Sequence, residues 1–180
     1  MAIIMTMNSR CIIHSCFLAS LILLLSGCGG ERLPPGMPKL YSATITVTQD
    51  GAPLVGAEVI ILNVDPSVSW SAGGTTDENG TLKLRTMGRY NGAPAGRYKV
   101  AVRKVETPNI ALPPLPTNPE QAKEYRRVMQ EIEDNSYYLV DERFYIGRTE
   151  LEVEITPSAR QFTVDVSPAV RVKVPAQPSG

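Results

Sequence analysis

From Ala43 to Thr48 the chain alternates strictly, with Ala43, Ile45 and Val47 set between Thr44, Thr46 and Thr48. A two-residue period predicts a strand with one face buried. Asp50-Gly51 supplies a turn, and Ala57 to Val64 follows with Val59, Ile60, Ile61, Leu62 and Val64 nearly continuous, which predicts a central strand. Asp77-Glu78-Asn79-Gly80 reads as a hairpin turn, because Asn-Gly adopts positive φ at little cost. Alternation resumes at Leu82 and Leu84, at Tyr98, Val100 and Val102, at Leu151, Val153 and Ile155, and at Phe162, Val164 and Val166. Val170, Val172 and Val174 offer a last strand. Seven or more short strands separated by turn residues predict an all-β fold, an antiparallel β-sandwich spanning 41–174 with a tail at 175–180.

One stretch departs from that period. Pro108 to Pro119 is rich in proline and irregular, and Pro119 to Glu133 has a helical pattern, together an insertion over 108–135. Asn118 is placed to cap it, Pro119 occupies the first turn, and Gln121 stands at capping-box spacing. Ala122, Tyr125, Met129 and Ile132 share one face, and Lys123, Glu124, Arg127, Gln130, Glu131 and Asp134 the other. The expectation is a helix laid on the sandwich where it covers strand edges. Docking of a partner is the second choice.

The N-terminus has a different character. Ile12 to Leu25 is apolar apart from His14, Ser15 and Ser20, with Arg10 the only charge before Glu31. It ends in Leu25-Ser26-Gly27-Cys28, which resembles a bacterial lipobox. The run is shorter than the roughly 20 apolar residues a spanning helix requires. Residues 1–27 are therefore expected to be a cleaved lipoprotein signal, with Met7 a better start than Met1, and Cys28 to carry the lipid. Gly29 and Gly30 follow, without the aspartate that hints at inner-membrane retention, so the expected location is the bacterial cell envelope, at the outer membrane. Residues 28–40 are a Gly/Pro spacer.

Removing 1–27 changes the chemistry available. The sole histidine, His14, and two of the three cysteines, Cys11 and Cys16, go with it. A disulfide, a Cys/His zinc site and any Ser-His-Asp or Cys-His catalytic set are thereby excluded from the mature chain. Charge is nearly balanced, and Arg103-Lys104 and Arg126-Arg127 are isolated pairs, so nucleic acid is not an expected partner.

Three turn motifs resemble a known family. Val47-x-x-Asp50-Gly51-x-Pro53-Leu54-x-Gly56-Ala57-x-Val59, Thr76-Asp77-Glu78-Asn79-Gly80-x-Leu82 and Gly92-x-Pro94-Ala95-Gly96-x-Tyr98-x-Val100-x-Val102 are similar to carboxypeptidase regulatory-like domains. That resemblance implies a transthyretin-like (prealbumin-like) sandwich closed by a hairpin of Thr149-x-Leu151-x-Val153 and Phe162-x-Val164-x-Val166. It implies a scaffold and no particular activity. Gly51, Gly56, Gly80 and Gly96 serve tight turns, while Pro53 and Pro94 fix the chain entering them.

Few residues suggest a site. Asp77, Glu78 and Asn79 gather oxygens in one turn but fall short of a calcium loop, and they read as a solvated turn. Asp141 and Glu142, if on a strand, would point to opposite faces and not cooperate in glycoside hydrolysis. The aromatic residues flanking them, Tyr137, Tyr138, Phe144 and Tyr145, are candidates to stack on a sugar or peptide, Tyr138 and Phe144 above all, as is Trp70 in its loop. Glu150, Glu152 and Glu154 form an acidic stripe expected to be solvated or to face Arg171 and Lys173. No catalytic, cofactor or metal residue is assigned. The expected function is non-enzymatic: a membrane-tethered binding or assembly module for an envelope protein or polysaccharide. A type VI secretion-like transthyretin-fold lipoprotein is the first alternative, and a carboxylate-based glycoside hydrolase a remote one.

Overall fold

Alternation along the chain becomes a buried face wherever two sheets meet. The computed structural model describes residues 33–175, so the signal at 1–27 and the lipid site Cys28 lie outside the described residues. The strands are β1 (Leu40–Tyr41), β2 (Thr44–Gln49), β3 (Ala52–Pro53), β4 (Glu58–Asn63), β5 (Ser71–Thr75), β6 (Thr81–Lys83), β7 (Arg85–Thr86) and β8 (Tyr90–Asn91). They continue with β9 (Ala93–Pro94), β10 (Gly96–Arg103), β11 (Val105–Glu106), β12 (Tyr137–Tyr138), β13 (Glu152–Ile155), β14 (Gln161–Asp165) and β15 (Val172–Lys173). One α-helix, α1 (Pro119–Asp134), separates β11 from β12.

The larger sheet runs β13-β10-β4-β5-β7-β8, and β14, β2, β3 and β6 form a second. Their facing sides share one core. Val59 and Ile61 of β4, Val100 and Val102 of β10, and Ile155 of β13 pack with Ile45 and Val47 of β2 and Val164 of β14. Burying each such side chain contributes about 1.5–3 kcal/mol before the entropy cost is deducted. Among the described residues the fold is thus mostly β, sandwich-like, with one α-helix. As expected, Ala57–Val64 supplies a central strand: β4 lies between β10 and β5.

The order of the strands differs from the expected one in three places. β14 pairs with β2 in parallel, Phe162 beside Ile45 and Val164 beside Val47, while the other ladders are antiparallel. The expected closing hairpin is absent: β13 joins β10 and β14 joins β2, because residues 156–160 carry the chain from one sheet to the other. Asp77–Gly80 likewise connects β5 in the larger sheet to β6 in the smaller, rather than two rungs of one ladder. In each case local alternation shows which face is buried and leaves the partner open.

α1 begins where expected. The Asn118 side chain accepts from the Gln121 amide at 2.9 Å. Gln121, however, reaches past the cap: its Oε1 accepts from the amide and hydroxyl of Thr117, each at 2.9 Å. Val128 is the buried residue of the helix, and Met129, expected inside, is exposed. The buried line runs through Ala122, Tyr125, Val128 and Ile132, one residue off the expected face. No helix among the described residues is long and apolar enough to cross a membrane.

Candidate functional site

A further, three-stranded sheet, β11-β12-β15, borders two concavities. Val105 pairs with Tyr138 and Glu106 with Tyr137, while Lys173 and Val172 pair on the other side. This fixes Tyr138 beside Tyr145, which follows a 3-10 turn at Glu142–Phe144. The two rings meet edge to face, with centroids 5.5 Å apart and planes at 62°. The Tyr145 hydroxyl donates to the Val140 carbonyl at 2.9 Å, and the Arg103 guanidinium lies 5.7 Å from the Tyr138 ring.

A cleft lies on each side of this pair. One, of about 370 Å³, is floored by Ile60 and Ala101 on the outer face of the larger sheet and rimmed by Glu58 and Arg103. Ala101 is a register partner of Ile60, and Arg103 of Glu58. The other, of about 360 Å³, lies against Val140, Val170 and Val172, with Asp141 and Lys173 at its rim. Ile146 and Val172, one in each cleft, are both 56% exposed. Such volumes suit small ligands or single units of a polymer.

Burial in this setting pushes the Tyr145 phenol up to about 12, and the neighbouring Tyr138 adds to the rise while Arg103 opposes it. Tyr145 is therefore neutral at physiological pH, and its proton is already given to Val140. Glu142 is ion-paired with Arg148, and Asp141 accepts from the Arg143 amide at 2.9 Å to cap the turn. Asp141 and Glu142 thus stand at the cap and first position of a 3-10 turn, and not on a strand as supposed. The surface offers aromatic faces with a charged rim.

The candidate aromatics separate. Tyr138 forms the wall between the clefts. Phe144 is only 8% exposed and belongs to the core cluster, with Arg143 stacked 4.7 Å above its ring. Packing, not ligand contact, explains its presence, because the 3-10 turn directs it inward. Trp70 is half-buried just before β5 and lines neither cleft. Ala101 and Arg103 carry no site role in the sequence reading, whereas Tyr145 belongs to the aromatic group beside Asp141 and Glu142. Tyr145 stood next to Phe144 in the same aromatic cluster, but only the β11–β12 register brings it under Tyr138.

The other acidic groups have local duties. The Asp77 carboxylate accepts from the amides of Asn79 and Thr81, each at 2.9 Å. The acidic stripe faces its own sheet: Glu152 pairs with Arg97 at 2.7 Å and Lys99 at 3.0 Å on β10. All three glutamates are exposed, as the solvated-face reading expects, and Arg171, the other option, binds Glu106 at 3.0 Å and stacks on Tyr137 at 3.6 Å. Among the described residues no group of three or more His, Cys, Asp or Glu side chains is placed to hold a metal ion. No protein-family model, curated protein or solved structure matches the chain.

Proposed function

We propose that this chain is a bacterial lipoprotein fastened through Cys28 to the outer membrane, whose transthyretin-like sandwich binds an envelope polysaccharide without transforming it. The lipobox supports the anchor, and the three turn motifs support the fold family. The observation that carries the binding role is the pair of clefts sharing Tyr138 and Tyr145 as their common wall. Aromatic faces pack against the C–H surface of a sugar ring, and rim groups such as Arg103, Asp141 and Lys173 suit its hydroxyls. Two clefts of similar size on either side of one wall suit consecutive units of a polymer.

Peptidoglycan sacculi are the first probe. Wild-type protein should co-sediment with them, and Tyr138→Ala should reduce the bound fraction at least about fivefold, a loss of about 1 kcal/mol, while its thermal unfolding remains cooperative. Equal pelleting of the two proteins, or no pelleting of the wild type, would refute the cleft as a polysaccharide site.

A further inference from the structure

Between β11 and α1 the chain runs from Thr107 to Asn118 without a helix or strand, and none of those residues is charged. An irregular stretch approaching this length within an ordered domain is uncommon, and such stretches are either functional or linkers. Both of its ends are held. Glu106 pairs with Arg171, and Thr117 is gripped twice by Gln121. The middle reads Ile110-Ala111-Leu112-Pro113-Pro114-Leu115-Pro116.

Burial along this middle has a period of three. Ile110, Pro113 and Pro116 are half-buried, and the residues between them, Ala111, Leu112, Pro114 and Leu115, are exposed. Strands repeat every two residues and helices every 3.6. A repeat of three is that of polyproline II, which makes no internal hydrogen bonds and keeps its backbone open. Three of the seven residues are prolines without an N–H, and the amides of Ala111, Leu112 and Leu115 make no backbone hydrogen bond among the described residues. One of the three rows lies on the protein. A second row consists of Leu112, 61% exposed, and Leu115, 79% exposed. At the polyproline rise of about 3.1 Å per residue, these leucines stand roughly 9 Å apart on one edge.

We infer that residues 110–116 form a recognition ridge that docks into an aromatic-lined groove of a partner protein. The prolines hold the ridge in its bound shape, so little conformational entropy is lost on docking. Leu112 and Leu115 fill the partner's pockets, and the free carbonyls between them accept from tyrosine or tryptophan donors on its walls. A membrane surface is the wrong occupant, since interfacial segments carry cations and aromatic residues and this one carries neither. The inference is independent of the polysaccharide cleft and of the lipid anchor.

A WW domain that reads Pro-Pro-Leu-Pro is the probe, because its groove is built from tyrosine and tryptophan. Titrated into the intact protein, it should bind saturably. Leu112→Ser and Leu115→Ser should each weaken binding at least about tenfold, with unfolding midpoints unchanged because both side chains are exposed. Absence of binding by the wild type, or equal binding by both variants, would overturn the proposal. So would concentration-dependent self-association abolished by both Leu115→Ser and Tyr138→Ala, which would make the ridge a contact between copies of this chain.

Discussion

Tyr145 shows how a residue's surroundings set its chemistry. Its ring is the wall of two clefts, its hydroxyl is committed to Val140, and burial holds its proton to about 12 against an ordinary value of 10.0. In the unfolded chain the phenol ionises near 10, so between about pH 10 and 12 the unfolded state releases a proton that the folded state keeps. Stability present below pH 10 is therefore lost as pH rises through that window. Tyr145→Phe cannot ionise and should flatten this decline. The check is urea unfolding at pH 9 and pH 11: the wild type should lose more stability between them than the variant. Parallel losses in the two proteins would mean that the phenol is not the responsible group. The sequence places Tyr145 in the aromatic group with Tyr138 but not in its buried setting, because Ala101 and Arg103 come from a strand far earlier in the chain.

At the scale of elements, the turns carry more information than the strands they connect. Thr76 is buried, its hydroxyl donating to the Leu54 carbonyl at 2.6 Å and accepting from the Ala57 amide at 2.8 Å. The first two turn motifs are thereby tied together across the fold. Gly80 lies in the same junction with φ of 68°, and a Cβ there would come within 2.7 Å of the Val47 carbonyl and 2.9 Å of the Leu54 amide. Gly80→Val should thus destabilise by more than about 1 kcal/mol, from the strained φ and the clash together. A urea midpoint equal to wild type would show that this junction is not as described. The motifs were legible because turn residues act locally. Their connectivity was not: the same Asp-Glu-Asn-Gly signal suits a hairpin or a crossing between sheets, and the ladder of β2 with β6 decides between them. Asn118 shows the same division. Its cap was evident from spacing, whereas the grip of Gln121 on Thr117 depends on the path of the preceding loop.

For the whole molecule, alternation placed most of the core correctly. Ile45, Val47, Val59, Ile61, Val100, Val102, Val153 and Ile155, each from a segment read as a strand, converge in a single cluster. The parallel pairing of β14 with β2 was not legible, since a strand's period says nothing about its direction. The site was half legible. The aromatic density around Tyr138 marked the right region, but Phe144 proved to be core and the ridge at 110–116 emerged only from its threefold burial.

The role proposed for the whole chain depends on where it is held. The intact mass of protein extracted from bacterial membranes tests this most directly, with Cys28→Ser alongside. Wild type should begin at Cys28 and carry the added mass of at least two acyl chains, since one chain anchors only marginally. The variant should lack that mass and retain residues 1–27. Wild-type protein recovered with its first 27 residues in place and no acyl mass, free of the membrane, would contradict the account.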